Sequence, residues 1–335
     1  MADKNIEVYG IGNPLIDILA HVTDEDIQAL ALDKGTMTLI DTERGNNILK
    51  HIEKHEKKYA CGGSAPNTMI TMAALEIKTA LAGMVGKDDL GEIYKQRLEE
   101  KNVISDLSFS PVDTGSCIVL VTPDYERTMS TRLGACREFG PQNVNHDLVK
   151  KACYLYFTGY MWDTDNQKES LLEAIKTAHK AGTKVVFDLA DPFVVERHYD
   201  DFNRMIKDKV DVLLANREEA KLMLGYDDPE KASRELAKNN VIAAIKNSAD
   251  GSCIGCTDGE CHIVDAYSVE AVDSTGAGDN YAAGFLYGLL KGYNYADAGK
   301  LASFVAAQVV RQTGAQFDDE MGNNLRKAIL AEEWR

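Results

Sequence analysis

The chain has 335 residues, of which 44% are apolar and 27% charged, and its formal net charge is -16. That length allows one large α/β domain or two smaller ones around a substantial core, while the acidity argues against nucleic acid or an anionic membrane surface as the main partner, since both would repel it. The sequence shows no basic segment leading into a long apolar run and no stretch of about 18 apolar residues, so a cytoplasmic protein with neither a nucleic-acid nor a membrane partner is the expectation.

Ile6 to Gly10 reads as a first strand. Gly10-Ile11-Gly12 lacks the full Gly-x-Gly-x-x-Gly run before a helix, which ranks a dinucleotide-binding oxidoreductase last. Cys61-Gly62-Gly63-Ser64-Ala65-Pro66-Asn67 then leads into a helix over Thr68 to Leu75. Its paired glycines suit a hinge or a bare surface against a flat ring, and Asn67 can hydrogen-bond sugar hydroxyls; an ordinary Gly-Gly turn before a helix is the alternative. Gly83 to Gly91 reads as a strand-to-helix turn capped by Asp88 or Asp89.

Two segments, about 16–41 and 113–132, break the pattern of the rest. Gly115 to Thr122 and Arg127 to Thr131 read as strands parted by Pro123 and Asp124, so a small β element set into a larger domain is expected. Such an element is a candidate lid, of the kind that closes over a site from which water must be excluded. The division expected is a large α/β domain over 1–14, 42–112 and 133–335, with the small β lid over 15–41 and 113–132.

From Cys153 onward short β-rich runs alternate with amphipathic helices, the pattern of a doubly wound, mostly parallel sheet in the α/β class. The strands are Cys153 to Phe157, Lys184 to Asp188, Asp211 to Ala215 and Val241 to Ile245. The helix Gln167 to Ala181 carries Leu171, Leu172, Ile175 and Ala178 at helical spacing and stops before Gly182. Seven scattered cysteines suit reduced thiols. Cys253, Cys256, Cys261 and His262 would make four zinc ligands, but Ser252 to Cys256, the Asp258-Gly259 turn and Cys261 to Ala266 read as a hairpin.

Asp273-Ser274-Thr275-Gly276-Ala277-Gly278-Asp279 runs straight into a helical stretch, Asn280 to Leu290. Gly276 and Gly278 admit a phosphate close to the backbone, and free amides at the helix start make an anion hole beside a carboxylate able to accept a hydroxyl proton. The plainer alternative is a glycine-rich turn with Asp279 as a helix cap. Ala282, Ala283 and Gly284 permit close helix packing under either.

Together these segments resemble the ribokinase-like (PfkB-type) carbohydrate kinases, a family that includes ribokinase, fructokinase and adenosine kinase. Asp273 to Asp279 matches the Asp-x-Thr-Gly-Ala-Gly-Asp signature, and Gly62 to Asn67 matches the amino-terminal Gly-Gly run, about 200 residues earlier. The resemblance spans essentially the whole chain. It implies a ribokinase-like fold with a small β lid, ATP with Mg²⁺, Asp279 as catalytic base, and an anion hole from the amides of Thr275 to Asp279, including Gly276, Ala277 and Gly278. Asn216-Arg217-Glu218-Glu219 is similar to the family's Asn-x-x-Glu motif, which implies that Asn216 and Glu219 organise phosphate and Mg²⁺ through water. Without the family, Asn216 is a helix cap and Glu219 a first-turn acid. Asp273 and Thr275 correspond to a monovalent cation site in some members, which brings K⁺ into consideration, and Arg127 or Arg132 is the lid arginine that would reach phosphate.

The opening Gly10 to Ile18 resembles the adenosine kinases most, which implies that Asn13, Leu15 and Asp17 line a nucleoside site with Gly62, Gly63 and Asn67. A carboxylate at Asp17 suits two vicinal ribose hydroxyls, being acceptor-only. Leu15, Met37, Leu39, Cys117, Leu133, Ala135, Met161 and Trp162 are candidates for an apolar slot around a purine, and core packing explains most of them as well. The expected activity is transfer of phosphate from ATP to the primary 5'-hydroxyl of a ribonucleoside, adenosine to AMP. The alternatives are a sugar kinase for ribose, fructose or a related sugar, and a nucleoside-binding regulator without catalysis. A small-molecule nucleoside or sugar is thus the expected partner, in a monomer or a lid-mediated homodimer.

Overall fold

The computed structural model describes residues 4–124 and 126–335, so the first three residues of the expected 1–14 segment lie outside it. Its strands are β1 (Ile6–Ile11), β2 (Leu15–His21), β3 (Met37–Leu39), β4 (Lys57–Gly62), β5 (Thr79–Gly86), β6 (Ile104–Ser110), β7 (Ser116–Val121), β8 (Arg127–Arg132), β9 (Ala152–Thr158), β10 (Lys184–Asp188), β11 (Val212–Asn216), β12 (Ile242–Lys246), β13 (Ser252–Gly255) and β14 (Cys261–Val264). One sheet of nine strands has the order β14-β13-β12-β11-β10-β9-β1-β5-β6, parallel from β12 through β6. The turn at Asp258 and Gly259 sends β14 back along β13, so the cysteine-rich segment is the expected antiparallel hairpin, with Cys253 opposite Ile263. Among the described residues no group of three or more His, Cys, Asp or Glu side chains is placed to hold a metal.

The inner parallel strands are covered on both faces, which is why they read as continuous apolar runs rather than alternating ones, while β6 at the sheet edge is half-buried. Val8 and Tyr156 point into one core while Tyr9, Leu155 and Phe157 point into the other. Each buried aromatic or branched side chain is worth about 1.5–3 kcal/mol of transfer free energy. The helix Asp165–Ala181 ends at Gly182 in a left-handed conformation, as its sequence predicts. The helix Ala277–Leu290 lies hard against Tyr295–Val309: a Cβ at Gly284 would stand 2.8 Å from Ala302 Cα. That contact fixes the helix whose first turn carries Asp279.

The second sheet has the order β3-β8-β7-β2-β4. β7 and β8 are the strands expected on either side of Pro123 and Asp124, but β4 was not expected there. It pairs antiparallel with β2, Asp17 opposite Ala60, so segment 42–112 contributes to both sheets rather than to the large one alone. Lys57–Gly62 has the composition Lys-Lys-Tyr-Ala-Cys-Gly and exposes its middle residues, so neither alternation nor an apolar run marks it as a strand.

Chain order reverses about β1, which has β9 on one side and β5 on the other. In open parallel sheets the crevice outside the carboxyl ends at such a reversal is where ligands bind. Asn13, Thr158, Asp188, Asn216 and Lys246 all sit at or just beyond those ends.

Candidate active site

A cavity of about 1280 Å³ opens along this edge and runs under the second sheet. It exceeds the roughly 300–1,000 Å³ of a single small-molecule pocket, so it has room for two ligands end to end. Asn13, Leu15, Asp17, Met37, Gly63, Asn67, Leu133, Asn216, Glu219, Asp273, Thr275, Gly276, Ala277, Gly278 and Asp279 line it.

Other expected residues lie elsewhere. Ala135, Met161 and Trp162 are buried in the core beside Phe157 and Phe187 rather than on the cavity wall, because the turn after β8 and the one after β9 fold inward onto the sheet. Gly62 serves differently: a Cβ there would lie 2.1 Å from Asp17 Oδ2, so glycine leaves room for that carboxylate. Gly63, at φ +101°, would place a Cβ 2.1 Å from the Asn13 carbonyl, and no L side chain fits. It turns the chain into the helix Ser64–Ala74, on whose first turn Ser64 and Asn67 share a face.

Those two side chains hold Asp279. Ser64 Oγ donates to Asp279 Oδ1 at 2.6 Å and Asn67 Nδ2 donates to Oδ2 at 2.8 Å. Burial lifts the Asp279 carboxyl to about 6; the two donors and Lys246 oppose the rise, and Asp188 adds to it. Gly276, at φ +72°, starts the helix without a side-chain cap. Thr275 N–H is held by Asp273 Oδ1 and Ala277 N–H by the Ser274 carbonyl, so two of the expected anion-hole amides are already engaged. The N–H groups of Gly276, Gly278 and Asp279 have no acceptor among the described residues, and they remain to bind an anion at the positive end of the helix.

Sequence reasoning missed Lys246 and Asp188, which close the same end. Lys246 Nζ contacts both Asp188 oxygens at 3.1 and 3.2 Å, and it lies 3.4 Å from where a Cβ on Gly278 would stand. Burial pulls its pKa down, but Asp188, Glu219 and Asp279 together keep the ammonium above its usual value. A charged residue at the end of a buried strand was the one available sign.

Asn216 and Glu219 form a reciprocal cap: Glu219 N–H donates to Asn216 Oδ1 at 2.8 Å, while Asn216 N–H and Nδ2 donate to the two Glu219 oxygens at 2.8 and 2.6 Å. Burial, the largest influence, raises Glu219 to about 8, Lys246 opposing and Asp188 adding. One carboxylate with both oxygens engaged suits a Mg²⁺ that keeps its water and takes phosphate ligands, not an ion caged by protein.

At Asp273 the carboxylate accepts from Thr275 N–H at 2.9 Å, Thr275 Oγ1 at 2.7 Å, Gly314 N–H at 2.8 Å and the Arg127 guanidinium. Its acceptor sites are filled, with the Arg127 cation among the partners, so in this arrangement the Asp273 side chain has no oxygen left for a K⁺. Of the two lid arginines considered, Arg127 lines the cavity; Arg132 turns toward Asp113 and the Thr114 carbonyl.

Asp17 stands across the cavity on β2. Among the described residues no group donates to its carboxylate, and burial raises it to about 7, with Arg127 opposing and Asp279 adding. Leu15, Leu19, Met37, Cys117, Met129 and Leu133 make an apolar wall beside it.

Compared with known proteins, residues 28–321 match the model of the pfkB family carbohydrate kinases. A probable sugar kinase from Rhizobium etli CFN 42 is 34% identical, with a TM-score of 0.90 over 98% of this chain and 99% of that one. The adenosine kinase from Sinorhizobium meliloti is also 34% identical, at a TM-score of 0.89 over 96% and 99% of the two chains. A 5-dehydro-2-deoxygluconokinase of Clostridium perfringens is 28% identical over 295 residues, 81% of this chain and 84% of the other.

Proposed function

Because the chain belongs to the pfkB family of carbohydrate kinases, and is therefore a phosphotransferase acting on an alcohol group, we propose that it phosphorylates the primary 5'-hydroxyl of a ribonucleoside, adenosine, with Asp279 as the base. The observation that carries this reading is two carboxylates facing one cavity, Asp279 beside three free amides and Asp17 beside an apolar wall. Asp17, unpartnered and acceptor-only, takes the two vicinal hydroxyls of a ribose, and the wall of Leu15, Met37 and Leu133 takes a flat base. Asn13, Gly63 and Asn67 hold the rest of the sugar.

Oriented in this way, the primary hydroxyl gives its proton to Asp279 as it attacks the terminal phosphorus of ATP. The N–H groups of Gly276, Gly278 and Asp279, with the Lys246 ammonium, stabilise the charge on the transferring phosphoryl. Mg²⁺, when bound, neutralises phosphate charge, and Asn216 and Glu219 are the residues that would hold its water. The second sheet acts as the lid, with Arg127 reaching the transferred group from it.

A sugar substrate is the second reading, favoured by the 5-dehydro-2-deoxygluconokinase relatives and by Lys58 and Arg127 on the cavity wall, cations suited to a sugar acid. Nucleotide release measured with adenosine, inosine, ribose, fructose and 5-dehydro-2-deoxygluconate separates the two. We expect adenosine to give the highest kcat/KM; a tenfold preference for a free sugar or sugar acid would rule the nucleoside out.

Asp17 makes a prediction of its own. Only the ionised carboxylate presents both oxygens as charged acceptors to two hydroxyls, so KM for the alcohol substrate should rise as pH falls through about 7. Asp17→Asn should remove that dependence and raise KM by about 10- to 100-fold, the worth of one or two bonds to a charged group. It should also raise Tm by about 2 °C or more, because a buried charge without a donor has been neutralised. An unchanged KM would remove Asp17 from the substrate site.

A further inference from the structure

Asn67 holds Asp279 through an amide whose two ends are alike in shape and opposite in chemistry. Turned one way it donates to the carboxylate; reversed, it would set a carbonyl oxygen against it and favour the protonated acid. Its orientation is fixed from behind. Gln316 Nε2 donates to Asn67 Oδ1 at 3.0 Å and also to the main-chain carbonyl of Cys61. A main-chain carbonyl only accepts, so the Gln316 amide has one available orientation, and it sets that of Asn67 in turn.

The segment bearing Gln316 is itself tied to the helix that carries Asp279. Asn280, fully buried, donates through Nδ2 to the carbonyls of Gly276 at 2.8 Å and Ala315 at 3.0 Å, while its Oδ1 accepts from Thr71 Oγ1 at 2.8 Å. Gln312 Nε2 donates to the Gln316 carbonyl at 2.9 Å. The glutamine is therefore held independently of the carboxylate it influences.

We propose that Gln316 is a positioning residue for phosphoryl transfer, which through Asn67 keeps the Asp279 carboxylate ionised and aimed at the substrate hydroxyl. The proposal rests on Asp279 being the base. The other groups facing Asp279 are Asp17 on β2, Tyr156 on β9, Tyr160 just after it, Asp188 on β10 and Lys246 on β12. None of them is touched by a change at Gln316.

The test is a carboxyl-carbon NMR titration of Asp279 in the full chain, its resonance assigned with Asp279→Asn, alongside the pH profile of kcat. In Gln316→Leu, Asn67 can reverse at no cost when Asp279 is protonated, so the Asp279 midpoint should rise by about half to one pH unit, one hydrogen bond's worth. The acidic limb of log kcat should move up by the same amount with Tm within a few degrees of wild type. Gln316→Glu should raise the midpoint further, since its acceptor-only carboxylate draws the Asn67 N–H groups to itself. A midpoint unchanged in both variants overturns the relay, whatever happens to turnover. If the midpoint moves while Asp279→Asn retains wild-type turnover, the relay stands and the base reading falls.

Discussion

Asp279→Asn is expected to lower turnover by about 10² to 10⁴, the usual cost of removing a positioned base. The amide preserves the site almost atom for atom: its oxygen takes the Asn67 donor, and its Nδ2 faces Ser64 Oγ, a hydroxyl that can turn its hydrogen away and accept. Folding should be unimpaired, because a carboxylate that burial has lifted to about 6 is replaced by a neutral group. Substrate affinity measured by calorimetry should stay within a few-fold of wild type. The pH profile is the sharper readout. Wild-type kcat should fall tenfold per unit below about pH 6 as Asp279 protonates, whereas the variant's residual rate should be flat there. Turnover within tenfold of wild type would exclude Asp279 as the base.

What the sequence disclosed about this site follows from how local each feature is. The Gly276 to Asp279 turn, the Asn216 cap and the Gly62-Gly63 approach each lie within a few residues, so spacing alone showed a turn or a cap at each, and the family resemblance was needed to attach chemistry to them. The strands β1, β9, β10, β11 and β12 were legible because burial on both faces leaves apolar runs, whereas β6, at the sheet edge, alternates polar residues and is only half-buried, and neither it nor β5 is among the strands expected from sequence. Contacts between distant segments were not. Asp188 and Lys246 are unremarked charges at the ends of two strands, and only the sheet order, with β11 between them, brings them together over Gly278. Gln316 belongs to no motif, and its role depends on a carbonyl 255 residues away in the chain. Leu15 and Trp162 are equally apolar in sequence, yet one lines the cavity and the other stacks in the core, a difference set by which way a turn folds.

Lys246→Met should cost about 10² to 10³ in turnover, the range for losing one preorganised donor to a charged transition state. The ammonium lies 3.4 Å from where a Cβ on Gly278 would stand, beside a residue whose N–H has no acceptor among the described residues, so an anion held at that helix start meets the lysine at close range. Methionine keeps the aliphatic stem and deletes only the charge. The single variant is ambiguous, however, because Asp188 and Glu219 are almost wholly buried and would lose their cation. Breaking such a pair from one side commonly costs about 3 to 5 kcal/mol, and a low Tm could mimic lost catalysis. Asp188→Asn with Lys246→Met removes the pair from both sides and should restore most of the Tm. Turnover should remain low in that double variant, and the acidic limb set by Asp279 should lie higher than in wild type, since a cation that favours its ionised form is gone. Recovery of turnover along with Tm would make Lys246 a structural partner of Asp188 and nothing more.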